Sequence, residues 1–200
     1  MPEDATPQEL AERLNIIEKM IAEGRRHTES WGWTFILWGI AYYVALAWTA
    51  WRHSEWAWPA TVLIAVVITI VVAYSKNARH PGTTLGRAIG SIWIALGISI
   101  SLLFLALGFS GRLTDQHVFV AVIAGILGMA NGASALILRW KVQFACAAVW
   151  WLAIIATSFG SDRVSTISFL AAIFLGQIAF GAYGLIAETK ERNRRNPIHG

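Results

Sequence analysis

The chain contains six stretches of 20 to 24 residues without a single Asp, Glu, Lys or Arg, separated by short charged gaps and together holding about two thirds of the 200 positions. At about 1.5 Å rise per residue such a stretch makes roughly 30–36 Å of helix, the thickness of a hydrocarbon core of about 30 Å. Every backbone N–H and C=O in lipid must be satisfied within the segment, and none of the stretches alternates as a barrel strand would, so helix is the conformation they dictate. The predicted spans are 31–51, 56–75, 88–111, 116–138, 142–161 and 164–187. The expected fold class is therefore an all-α integral membrane protein: six transmembrane helices arranged as three hairpins, preceded by a cytoplasmic amphipathic helix.

Composition agrees with this class and excludes others. Charged residues make up 14% and hydrophobic residues 56%, against the roughly one quarter charged residues of soluble domains. That much apolar surface rules out a disordered chain or a nucleic-acid module, and one cysteine cannot build a disulfide scaffold. The net charge of +4 is a matter of placement. Thirteen bases fall on the side shared by both termini and three on the other, Arg52, Arg112 and Arg163. With an even number of spans, the positive-inside rule puts both termini in the cytoplasm. A bacterial inner membrane is the simplest compartment, and residues 1–30, with seven acids against four bases, look like neither a signal peptide nor a transit peptide. The first span is then both signal and anchor.

Three units follow: a cytoplasmic segment 1–30, a membrane domain 31–187 and a basic tail 188–200. In the first, Thr6-Pro7-Gln8-Glu9 has the form of a capping box with proline in the first turn. Leu10, Leu14, Ile17 and Ile21 then recur at spacings of 4, 3 and 4 and form one apolar seam, with Gly24 offering a stop. The predicted helix covers about residues 6–24. Its polar face carries Glu9, Glu12, Glu18, Lys19 and Glu23, too few bases for a helix lying on anionic lipid. The remaining roles for the seam are packing on its own bundle, pairing with its copy, or docking another protein. The bases of the tail lie against headgroups in this reading, with no nucleic-acid partner.

Within the spans, the fourth carries Ala121, Gly125, Gly128, Gly132 and Ala135 at spacings of 4, 3, 4 and 3. Such a stripe lets another helix backbone approach closely, within the monomer or between copies. Asn131, Gln143 and Gln177 are the strongest polar groups in the apolar stretches, and the cost of an unpaired amide in hydrocarbon turns them inward. Cys146 has no acid, base or second thiol near it in sequence and is read as a packing residue. Trp31, Trp33, Trp48, Trp51, Trp56, Trp58 and Trp140 fall at span edges, as an aromatic belt does. At the outer tips His53, Glu55, Asp115, His117 and Asp162 could supply nitrogen and oxygen ligands to a divalent metal if the tips converged.

Asn131-Gly-Ala-Ser-Ala-Leu-Ile and Phe180-Gly-Ala-Tyr-Gly-Leu-Ile align at an offset of 49 and suggest repeated hairpins. In its leading helix, three glycine-rich hairpins and segments such as Ile123-Ala-Gly-Ile-Leu-Gly128, the chain resembles bacterial six-span proteins of the HdeD-like kind, linked to acid resistance. The resemblance is one of architecture and transfers no functional residue. There is no phosphate-cradling loop, no HExxH, no nucleophile with its base and no intramembrane acid pair. The expectation is a non-enzymatic accessory, stress-response or signalling protein without a cofactor, acting through helix assembly in the bilayer. The alternative is a small uncoupled transporter or channel for a neutral or apolar solute, with Asn131 and Gln177 lining its path.

Overall fold

The computed structural model describes residues 6–52, 56–77, 84–109 and 115–195, and among them there is helix and no strand. The helices are α1 (Pro7–Ser30), α2 (Gly32–Arg52), α3 (Ala57–Asn77), α4 (Thr84–Phe109), α5 (Gln116–Leu138), α6 (Lys141–Phe159), α7 (Asp162–Ile173) and, after a π-helical segment Phe174–Ala179, α8 (Phe180–Arg195). Six of the helices are long and apolar enough to cross a membrane, the last of them running through α7, the π segment and α8.

Local chemistry accounts for the ends. Thr6 accepts from the Glu9 amide while the Glu9 carboxylate accepts from the Thr6 amide, the reciprocal capping box that starts α1. Asp115 caps α5 by accepting from the amides of His117 and Val118. At the other end of α5, Arg139 adopts a left-handed conformation (φ 48°) and the Trp140 amide reaches back to the Ala135 carbonyl, so a two-residue corner turns the chain into α6.

Two expectations about the leading helix are corrected. Gly24 does not stop α1, which continues to Ser30 and is separated from the apolar α2 by Trp31 alone. It is thus no free-standing helix of residues 6–24. Gly24 is instead a point of close approach: a Cβ there would lie 2.7 Å from a Leu138 methyl and 2.8 Å from a Leu85 methyl. Residues 6–20 are exposed all round, and only Gly24 and Thr28 of α1 are buried. The helix is docked by its C-terminal third and projects beyond the bundle with the rest.

The bundle has a densely packed centre and a looser edge. α5 and α6 form the most extensive pair, α7 packs on both and the π segment on α6, and α2 packs on the π segment and α8, whereas α3 packs on α2 and α4 on α1 and α5. Two apolar clusters result. One holds Tyr42, Val120, Ile123, Leu127, Trp150, Phe169 and Ile173, the other Phe35, Ile89, Leu138, Trp140, Cys146 and Phe180. Trp58 and Trp140, read as belt residues, belong to this interior: Trp58 packs edge-on against Phe119 at 5.4 Å, and Trp140 lies 5.3 Å from Phe180.

Candidate functional site

The stripe predicted on α5 is closed by α6. A Cβ on Gly128 would fall 2.6 Å from the Trp151 ring and one on Gly132 2.8 Å from it, while Gly125 faces Ile154 at 3.8 Å. Trp151 lies across the stripe, steadied edge-on by Phe144, and the neighbouring Trp150 is fully buried. The small residues make room for an indole rather than for a helix backbone, and that indole comes from the same chain.

A backbone crossing of the kind expected of the stripe occurs elsewhere, where the junction of α1 and α2 meets α8. A Cβ on Gly32 would lie 2.6 Å from the Gly181 carbonyl, and Gly184 faces the backbone of Glu29. Gly39 sits against Gln177 and Ile178 in the π segment. The π turn holds one more residue than an α turn and shifts the phase of all that follows. Gly176 thereby comes to lie against the Trp150 indole nitrogen and Gln177 against α2.

Three helices pass from one apolar cluster to the other through buried glycines or polar residues: Phe35 to Tyr42 through Gly39, Leu127 to Leu138 through Asn131 and Ser134, Ile173 to Phe180 through Gly176 and Gln177, while Gln143 of α6 stands between Trp140 and Cys146 of the second cluster. Asn131 and Ser134 are fully buried, as is Gln143 on α6, and Gln177 is nearly so. The three amides do turn inward. Asn131 donates to the Leu127 carbonyl at 2.9 Å, yet its Oδ1, Ser134 Oγ, both polar atoms of Gln143 and Trp150 Nε1 have no partner among the described residues. Each such atom costs about 1–3 kcal/mol when left dry. Ser134 escaped the sequence reading because a serine in an apolar helix commonly bonds its own backbone.

At the far end of α5, His117 ties three helices together. Its Nδ1 lies 2.6 Å from the Thr157 carbonyl and its Nε2 2.8 Å from Asp162 Oδ1. Both partners are acceptors, so the doubly protonated ring makes both bonds at once. Below it the Thr157 and Ser165 hydroxyls share a short hydrogen bond, and Gln116 donates to Thr166 at 2.8 Å. Of the five residues considered for a metal, Asp115 is engaged as an N-cap and His117 and Asp162 bond each other. His53 and Glu55 lie outside the described residues, and no group of three ligating side chains occurs among the described ones.

The docked part of α1 has its own polar contacts. Arg25 donates from Nε to the Leu138 carbonyl at 2.7 Å and from Nη2 to the Arg139 carbonyl, which satisfies two acceptors that the end of α5 leaves open. Arg26 pairs with Glu191 of α8 at 3.1 Å. Glu29, half-buried at the glycine crossing, is held above the usual carboxylate range by burial first and by Glu191 next, against the pull of Arg26 and Arg25, with Glu188 the smallest contribution. Of the seam, Leu10, Leu14 and Ile17 stand at least half exposed, and Ile21 is half-buried.

No family model, curated protein or solved structure matches the chain.

Proposed function

We propose that this is a non-enzymatic multi-pass protein of a bacterial-type plasma membrane, with both termini in the cytoplasm. It serves as an accessory, stress-response or signalling component that works by helix assembly. The observation that carries the reading is the projecting half of α1, where Leu10, Leu14 and Ile17 stand exposed on a helix anchored to the bundle by Arg25. An apolar seam held at a fixed place beyond a packed bundle is suited to docking, and the acids beside it disfavour a lipid-lying role. The membrane setting is supported by the apolar side chains on the outside of α3 and α4, among them Leu63, Ile64, Val71, Ile94, Ile98 and Leu102. Orientation is supported by the thirteen bases on the side of the termini.

Purification at native expression level in mild detergent, comparing wild type with Leu14→Glu/Ile17→Glu, tests this reading. The expected result is a co-purifying protein lost in the variant. A small molecule retained by both, with no protein lost, would overturn it.

One observation favours a second reading, uncoupled passage of a neutral solute: the buried, unpartnered polar atoms of Asn131, Ser134 and Gln143 in a bundle that also contains a π turn at Gln177. π turns recur at functional sites, and unpaired buried groups call for a ligand or water. On that reading Asn131→Leu and Gln177→Leu abolish solute flux into proteoliposomes while the variants still purify as folded protein. On the assembly reading, neither changes flux.

A further inference from the structure

We propose that His117 is a proton-operated clasp. The doubly protonated ring ties the start of α5 to the end of α6 and the start of α7, and loss of one proton releases the first turn of α7. The clasp sits at the end of α5 away from α1 and does not depend on what α1 docks.

The two bonds of the ring dictate its protonation state. His117 Nδ1 lies 2.6 Å from the Thr157 carbonyl and Nε2 2.8 Å from Asp162 Oδ1. A carbonyl and a carboxylate can only accept, so each bond needs an N–H, and imidazole carries two of them only in its charged form. A neutral ring would turn a lone pair toward one of the two oxygens. Asp115 is spent on capping α5, and no third ligating side chain joins the pair among the described residues, so the species that fits this arrangement is a proton.

The packing decides which bond gives way. Thr157 is fully buried, and its carbonyl is one of those that the end of α6 leaves without a helical partner. The Asp162 side chain is 89% exposed. An acceptor in contact with water loses little when its donor leaves, whereas a buried one stays unsatisfied. The proton lost to water is therefore the one on Nε2. Nδ1 keeps its bond to Thr157, and the Asp162 carboxylate turns to solvent. The buried Thr157–Ser165 pair still holds α7 against α6 from Ser165 onward, and the exposed bond from Gln116 to Thr166 is left to join α7 to α5. The part released is the turn that begins at Ser161.

The charges near the ring come from two of the three helices. α5 brings Asp115, and α7 brings Asp162 with Arg163 exposed beside it. The one charged residue of α6, Lys141, lies at that helix's far end, and Arg112 lies outside the described residues. Carboxylates and guanidinium groups ordinarily hold their charge where an imidazole titrates, so the ring is the member of this group that switches.

Amide hydrogen exchange of the full-length chain in lipid nanodiscs, read at Ser165, Thr166, Ile167 and Ser168, tests the clasp. In an α-helix these amides donate to the carbonyls of residues 161–164, the turn that is released. Exposure times at about pH 5 and about pH 9 bracket the imidazole titration and are scaled for the intrinsic pH dependence of exchange. The wild type is expected to exchange about three- to tenfold faster at the higher pH after scaling, with residues 143–153 of α6 unchanged as the reference. His117→Ala should exchange at the faster rate at both pH values. Asp162→Asn should stay slow at both. Its new amide offers an N–H, so a neutral ring protonated on Nδ1 donates to Thr157 and accepts from position 162 at once.

No step in the wild type, or a step that persists in His117→Ala or in Asp162→Asn, overturns the proposal. Should His117→Ala lose protection in the α6 reference and so fail to fold, the contrast between wild type and Asp162→Asn decides alone.

Discussion

α4 and α5 carry similar allotments of small residues and end in opposite situations. In its most apolar stretch α5 is 56% buried and α4 11%. Gly128 and Gly132 lie under Trp151, while Gly90 and Gly97 of α4 have nothing within 4 Å of where a Cβ would stand. What decides the role of a small-residue stripe is the bulk offered by its neighbour, and here α6 offers two adjacent tryptophans. Hydroxyls divide the same way. On the peripheral α3 and α4, Thr61, Thr69 and Ser91 donate to carbonyls one turn back in their own helices. In the centre, Ser134 and the amides of Asn131 and Gln143 keep unpartnered atoms instead.

The largest expected effect breaks the comparison directly. Gly128→Leu drives a branched side chain into the Trp151 ring and should cost about 3 kcal/mol or more in detergent unfolding, because the ring is wedged by Phe144. Gly97→Ala enters open space and should instead gain up to about 1 kcal/mol from helix propensity. Equal losses at the two positions would show that α4 is as tightly covered as α5.

The next effect concerns what the centre holds in place. Arg25→Ala removes a charged donor from two carbonyls at the end of α5 and should cost about 2 kcal/mol, read as earlier proteolysis within α1. Arg26→Ala removes an exposed ion pair with Glu191 and should change little, within about 0.5 kcal/mol. If both variants behave alike, α1 is held by general charge and not by the corner of α5.

These contrasts show what could be read from the chain beforehand. All six apolar helices were visible in the uncharged stretches, and the start of α1 in Thr6 and Glu9, because both signals lie within a few residues of each other. The stripe on α5 and the inward amides were visible as chemistry, though not with their partners. Gly24 was misread because glycine serves equally as a helix stop and as a point of close approach, and only Leu85 and Leu138 across the contact decide which. The contact of Gly32 with Gly181 and the π turn beside Trp150 depend on packing between segments far apart in the chain, which local periodicity does not encode.

A smaller effect lies at the corner between the two central helices. Arg139 stands in the left-handed region that favours glycine, and its contribution to α1 docking is its carbonyl, which any residue supplies. Arg139→Gly should relieve the conformation at some cost in unfolded-chain entropy, for a net gain of about 0.5 kcal/mol. Retention of the Arg25 contact can be checked by repeating the Arg25→Ala substitution on top of it, which should still cost about 2 kcal/mol.

The smallest effect separates the centre from the α1–α8 crossing by pH. Glu29 is held above the ordinary carboxylate range chiefly by burial, with Glu191 and Glu188 adding to it and Arg26 and Arg25 opposing. The folded protein therefore keeps its proton at pH values where the unfolded chain has lost it. The stability this proton contributes is complete below the unfolded pKa of about 4.3 and is lost as pH rises through the raised folded value. Above that raised value the carboxylate is charged at a half-buried crossing. Glu29→Gln, which stays neutral throughout, should raise the resistance of α1 to proteolysis slightly on the alkaline side of the Glu29 titration and flatten its pH dependence across it. The detergent melting of the α5–α6 centre should keep its own pH profile in the same variant. A changed profile there would mean that α1 and the central pair open as one unit, and that the boundary between packed centre and projecting helix lies farther from the bundle than the burial of Gly24 and Thr28 places it.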